Sequence, residues 1–422
     1  MSGSGGPVKR ARGALLLVVL AGLAATGCGA ARAPAADRIE GRTLTIYSST
    51  PFQGASALGA QAVLNGELMA LERVHAQIGR YRLVFKVLDD STPQGGGWDP
   101  GQTTANARLA VSDPTTIGYV GEFNSGGSAI SIPILNRAGI PQLSASDTAV
   151  GLTSSVPGAS PGEPGKYYPT GVRTFARVVP NDTVQAAAQV RLQQAAGCAK
   201  SFVLDDEDVD GADTASTFQL AARAAGLPVA GVEGFDSRAG DYTALAAGVA
   251  RTGADCVLIS ADTENHAVLL TEQVAAALPH AKLFGTAGLA ESTFTDESQG
   301  GVPVALDHRL LITVASVNGA SYRAAGRTFL AAYARRYGPP EPYAIFGYEA
   351  MTLLLDAISR ATRHGTEPAE RSKVRAVIFA TRDRNSVLGT YSIDLSGDTT
   401  LRWYGAYRVV GGRLRLWRVL AG

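Results

Sequence analysis

The stretch GEFNSGGSAISIPILNRAGIPQLSASDTAVGLT, residues 121–153, follows an apolar run at 117–120 and decides how the rest of the chain is read. Asn124, Ser125, Gly126 and Gly127 break that run before an apolar-periodic segment carrying Ile130, Ile132 and Ile134, so the order is strand, small polar loop, helix. Asn124 or Ser125 can cap the helix, and the glycines leave its first amide N–H groups open to a carboxylate or another anion. After Gly139 a second strand, 140–143, delivers Ser144, Ala145, Ser146, Asp147 and Thr148. Two neighbouring strands thus end in hydroxyl-rich turns on one edge of a sheet, where open α/β folds place small ligands. Spacing alone reads these serines equally well as ordinary caps and turn residues.

At the start of the chain, Lys9, Arg10 and Arg12 precede an apolar segment over 14–25. That is a secretory signal, too short to span a bilayer. It ends Ala25-Thr26-Gly27-Cys28, which resembles the lipobox of bacterial lipoproteins, where the cysteine is acylated and becomes the mature N-terminus. The resemblance implies a signal peptide over 1–27, lipidation at Cys28, and a polar tether over 28–42 holding an extracytoplasmic domain to the membrane.

The full chain carries a net charge of +1, and losing the three basic residues of 1–27 leaves −2. Neither a nucleic-acid footprint nor a polybasic membrane patch is present. The length beyond the tether exceeds what one core serves, which favours two lobes. Two cysteines remain, Cys198 and Cys256, each just before an apolar run. Outside the cell such a pair is more often bridged than free, and if the two strands are neighbours a disulfide across their starts is possible.

Strands alternate with helices throughout. A strand over 43–47 is followed by a helix with Leu64, Leu68, Leu71 and Ile78 on one face, also carrying His75; then come a strand over 82–88, a loop at 95–101 and a helix over 103–110. A Ser, Pro and Gly-rich linker covers 153–171. Helices are expected over 182–195, 214–225, 242–251 and 265–277, and strands over 201–204, 229–232, 256–260 and 282–286. A strand at 310–314 and helices at 322–337 and 343–361 follow, then segments at 391–395, 403–409 and 414–419 that read as antiparallel hairpins. The fold class is α/β, with two Rossmann-like lobes built on mostly parallel sheets.

The pattern resembles the solute-binding proteins of the branched-chain amino acid (Leu/Ile/Val-type) ABC uptake family, with the type I periplasmic-binding-protein fold. The likeness runs over most of the chain beyond the tether. It is carried by Val87-Leu-Asp-Asp90, Ala105-Asn-Ala-Arg108, Gly121 to Ser125, Arg137-Ala-Gly-Ile-Pro-Gln-Leu-Ser144, Tyr337-Gly-Pro-Pro-Glu-Pro-Tyr343, and Leu388-Gly-Thr-Tyr-Ser followed by Gly397-Asp-Thr-Thr. It implies two hinge-joined lobes, 43–172 plus 287–385 and 173–286 plus 386–420. These would close over one small polar ligand, an amino acid or amide-like solute, and deliver it to ABC permease subunits without chemistry or cofactor.

By the same resemblance, Ser125 with Gly126, and Ser146, Asp147 and Thr148 in the next turn, hold the ligand's anionic or carbonyl end. The second lobe departs from the pattern. Asp210-Gly211 and Asp262-Thr263 stand where aromatics are common, and the turn after Phe284-Gly285 offers Thr286-Ala287-Gly288 where amino-acid binders place an acid for the ammonium. A buried ammonium without an acidic partner is costly. Either Asp210 or Asp262 supplies the charge from another wall, or the ligand is not an α-amino acid; Asp210, Asp262, Thr263 and Ala287 are the candidate contacts of this lobe.

The acidic run 205–211 matches the opening of a calcium loop, but Thr217 stands where the bidentate Glu belongs, so no metal is expected. An HExxH and a phosphate loop are lacking, and His75, His266, His280, His308 and His364 are scattered. An enzyme is therefore the weaker reading. A ligand sensor reporting to a membrane partner would use the same closing lobes.

Overall fold

The computed structural model describes residues 37–93, 97–156 and 158–422. The expected signal peptide and the lipidation expected at Cys28 lie outside the described residues. Among those described, no helix is long and apolar enough to cross a membrane.

Two sheets organise the chain. In the first, the strand order is Gln77–Ile78, Tyr81–Asp89, Thr43–Thr50, Thr116–Val120, Gln142–Ser144 and Phe175–Arg177, all parallel except the two-residue edge. In the second, Val229–Gly234, Ser201–Asp205, Cys256–Ser260, Lys282–Gly285 and Leu310–Val314 run parallel, and the hairpin Trp403–Val410 with Arg413–Ala421 closes one side antiparallel. The central strands are short apolar runs buried along their whole length, as a sheet covered by helices on both faces requires. This is the α/β, two-lobed, mostly parallel architecture expected.

Helix Ala57–Glu72 packs tightly on Ala344–Ala361, both against the first sheet. Gly66 and Gly347 permit the approach, since a Cβ at either would strike the partner helix's backbone. The chain passes between the sheets three times: after Arg177, between Val314 and Ala324, and before Trp403. The first and third crossings are tied together. Buried Arg177 donates from Nε to Asp398 Oδ1 at 2.7 Å, Asn181 Nδ2 donates to Asp398 Oδ2 at 2.9 Å, and the Arg177 amide donates to Gly397 O. Cys198 and Cys256 form the expected disulfide, with Cα atoms 5.8 Å apart, because Ser201–Asp205 and Cys256–Ser260 are neighbouring strands.

Several expectations need correction. Ile78 is not on the helix: the helix ends at Glu72, His75 and Ala76 take left-handed conformations, and Ile78 reaches the core from a two-residue strand. Its fit to the helical face was a coincidence of spacing. Leu310–Val314 belongs to the second sheet although 287–385 was assigned to the first lobe, and Phe175–Arg177 belongs to the first sheet although the second was to begin at 173. In both cases the strand adds to the sheet of the strand that precedes it in sequence. The helix expected over 265–277 starts at Val268, after an irregular turn in which His266 has φ +55°. Gly97–Trp98, expected as loop, pairs with Ser91–Thr92. Gly389–Tyr391 pairs with Arg384–Ser386 in a separate ribbon rather than joining the C-terminal hairpin.

Candidate functional site

The turns after strands of both sheets meet around one small cavity. Phe123, Asn124 and Ser125 follow Thr116–Val120, and Ser146 and Thr148 follow Gln142–Ser144. From the other sheet come Asp210, Asp262 and the group Ala287, Gly288 and Glu291, while Tyr343 stands at the start of Ala344–Ala361. The cavity measures about 30 Å³, room for about one or two bodies the size of a water molecule. A larger solute can enter only if the two halves separate.

The walls already bond across the gap. Thr148 Oγ1 donates to Asp210 Oδ1 at 2.8 Å and Ser125 Oγ donates to the same oxygen at 3.1 Å. Ser125 Oγ also accepts from the amides of Thr148 and Ala149, at 3.2 and 3.3 Å. Asn124 Nδ2 donates to Asp262 Oδ2 at 2.9 Å. The helix Ser125–Arg137 has no side-chain cap, which corrects that expectation: Asn124 Nδ2 and Ser125 Oγ each donate to the opposite half instead. Its first turn is also less open than expected, since a Cβ at Gly126 would lie 2.8 Å from Asp208 Oδ1 and against the Trp98 ring.

Burial pushes the Asp210 carboxyl above the ordinary carboxylate range, with the hydroxyls of Thr148 and Ser125 pulling the other way. Asp262 is pushed further up, by burial first and then by the charges of Glu264, Asp210, Asp206 and Asp208. Burial, then Glu264 and Glu341, raises Glu291. Removing a carboxylate from water disfavours its charged form, and like neighbours add to that.

Of the residues singled out in the sequence, Ser125, Ser146, Thr148, Asp210, Asp262 and Ala287 line the cavity. Gly126, Asp147 and Thr263 do not. Asp147 is fully buried behind the turn, accepting from Ser128 Oγ, and its carboxyl is pushed up to about 8 chiefly by burial. Thr263 donates to Gly288 O at 2.8 Å and so braces a lining turn. Sequence reasoning missed Glu291, Tyr343 and Phe123 as cavity residues. Glu291 follows Thr286-Ala287-Gly288 by three residues, so this segment does supply an acid, one helical turn later than looked for.

A family model described as periplasmic binding protein matches residues 43–412. Comparison with curated proteins gives no match. Among solved structures, the leucine binding protein LivK of Thermotoga maritima is similar at TM-score 0.76 and 20% identity, over 90% of this chain and 99% of that one. LivJ of Streptococcus pneumoniae, a branched-chain amino acid transporter substrate binding protein in complex with isoleucine, is similar at TM-score 0.72 and 17% identity, over 90% and 100%. A solute binding protein of an ABC transporter from R. palustris, in complex with benzoate, is similar at TM-score 0.72 and 17% identity, over 90% and 96%. At these identities the likeness is one of fold.

Proposed function

We propose, from the premise that the chain belongs to the periplasmic binding protein family, that it captures a small polar solute in the cleft between its two halves and delivers it to an ABC permease. The observation that carries this reading is the joint construction of one cavity: hydroxyls of Ser125 and Thr148 from the first half and the carboxylate of Asp210 from the second share a single hydrogen-bonded cluster. A cleft built from both halves lets a solute stabilise the closed arrangement by whatever it prefers closed over open. Chemistry on the solute is not part of the reading; the similar solved structures are of binding proteins, among them one in complex with isoleucine and one in complex with benzoate.

The lipobox at Ala25-Thr26-Gly27-Cys28 supports a tethered protein working outside the cytoplasm, next to the permease. Thermal-shift screening of amino acids, amides and small amines tests solute capture, because a solute that binds only the folded chain raises its melting temperature by mass action. Cys28→Ala tests the anchor: the variant should leave the membrane fraction, and retention there would contradict acylation at Cys28.

A further inference from the structure

The cavity wall is rich in acceptors, and its serine and threonine hydroxyls are already engaged. Asp210, Asp262 and Glu291 face it, and none of the described lining residues is a lysine, arginine or histidine. Ser125 and Thr148 both donate to Asp210 Oδ1, and Ser146 Oγ donates to Phe123 O at 2.7 Å. The place where a solute carboxylate would rest on these hydroxyls is therefore filled by a carboxylate of the chain itself.

Among the lining side chains, one buried acceptor is left unsatisfied. Asn124 lines the cavity at 5% exposure, its Nδ2 is committed to Asp262, and its Oδ1 is buried without a hydrogen-bond partner. A buried oxygen in that position costs free energy until an N–H reaches it. Asp206, Asp208 and Glu264 stand near the lining on the half of Asp210 and Asp262, each pushed above the ordinary carboxylate range by burial. The nearby guanidinium of Arg177 does not line the cavity; it is bound to Asp398, Ala149 O and Thr153 Oγ1. Phe123 and Tyr343, edge to face at 6.2 Å, add aromatic rings of the kind that attract cations.

We propose that the solute is an organic cation, an amine, amidine or guanidine without a carboxylate, whose N–H groups sit between Asp210, Asp262, Glu291 and Asn124 Oδ1. The inference rests on the solute-capture reading and narrows it. An inorganic ion suits the site less well, since among the described residues no group of three or more acidic, histidine or cysteine side chains converges as metal ligands do. The gap of about 30 Å³ matches an ammonium head, and the remainder of the solute requires the halves to part.

Calorimetric titration of the full chain at fixed ionic strength, with 1,4-diaminobutane, butylguanidine, L-leucine, benzoate and calcium chloride, tests the assignment. The expected result is one diamine or guanidine bound per chain, weakened about tenfold or more by Asp262→Asn and by Glu291→Gln, with no heat from leucine, benzoate or calcium. Both substitutions replace a buried carboxyl by its neutral amide isostere, so the variants should melt at or above the parent temperature, which separates lost binding from lost fold. Binding of leucine or benzoate but neither cation would overturn the charge assignment and leave solute capture standing. Binding of calcium alone would overturn it in favour of a metal. Heat from none of the five would overturn the organic-cation assignment, and a thermal-shift screen of neutral amides and sugars then decides whether solute capture falls with it.

Discussion

Thr148 and Asp210 lie on opposite halves, and the hydroxyl of one donates to the carboxylate of the other at 2.8 Å across the closed cleft. Ser125 reinforces the same carboxylate oxygen. Hydrogen bonds to charged groups are worth roughly 1.5–3 kcal/mol, so this pair of contacts is large enough to bias the halves towards closure. Thr148→Val keeps the bulk and removes the donor. It should shift the unliganded protein towards the open arrangement, seen as a larger radius of gyration in solution scattering; an unchanged radius would deny the bridge a role in closure.

Arg177 and Asp398 tie two of the three crossings. Asp398→Ala would leave a fully buried guanidinium without its partner, though still bonded to the carbonyls of Asp147 and Ala149. Stranding a buried charge costs about 3–5 kcal/mol, and chemical denaturation should show a loss in that range. A loss under about 1 kcal/mol would mean that solvent reaches the pair.

The Cys198–Cys256 bond closes a separation of 58 residues between neighbouring strands. Replacing both cysteines by serine should lower stability by about 2–4 kcal/mol, chiefly by freeing the unfolded chain, with solute binding retained. Mass measured with and without reductant checks the bond itself, which should appear as a gain of two protons.

Glu67 tests the pH dependence away from the cleft. It is buried on Ala57–Glu72, and its carboxyl is pushed up to about 8, by burial first, with the Ser48 hydroxyl opposing. The folded chain therefore holds a proton that the unfolded chain releases between its ordinary value of 4.5 and about 8. That contribution is fully present below the lower value and is lost as pH rises through the upper one. Asp113, pulled down to about 2 by bonds from Thr115, Lys86 and Tyr47, acts in the opposite sense and only in strong acid. Melting temperature should thus fall as pH rises from about 5 to about 8, and Glu67→Gln should flatten that fall. An identical slope in the variant would place the titrating group elsewhere.

The fold was legible because its central strands are short, mostly apolar runs between helices, a few of which open on a capping side chain. Asn181 and Asp99 both accept from the first turns of their helices, and Thr116–Val120 and Cys256–Ser260 are buried throughout. Sheet membership of Leu310–Val314 was not legible, since periodicity says that a strand exists but not which sheet it joins. At the cavity, Ser125, Thr148, Asp210 and Asp262 were readable as polar residues at strand ends. Tyr343 was not, because its ring approaches from a helix that begins far along the chain. Glu291 is not legible either, because the resemblance places the acid immediately after Gly285, whereas a short 3-10 turn, Ala287–Leu289, carries the chain back to the cleft first.

The most direct test of capture between the halves is isothermal titration of whichever solute raises the melting temperature most, into the parent chain and into Thr148→Ala. The expected result is one solute per chain with affinity reduced by about 1–3 kcal/mol in the variant, roughly tenfold to a hundredfold. Equal affinity in both proteins would contradict binding at this cleft.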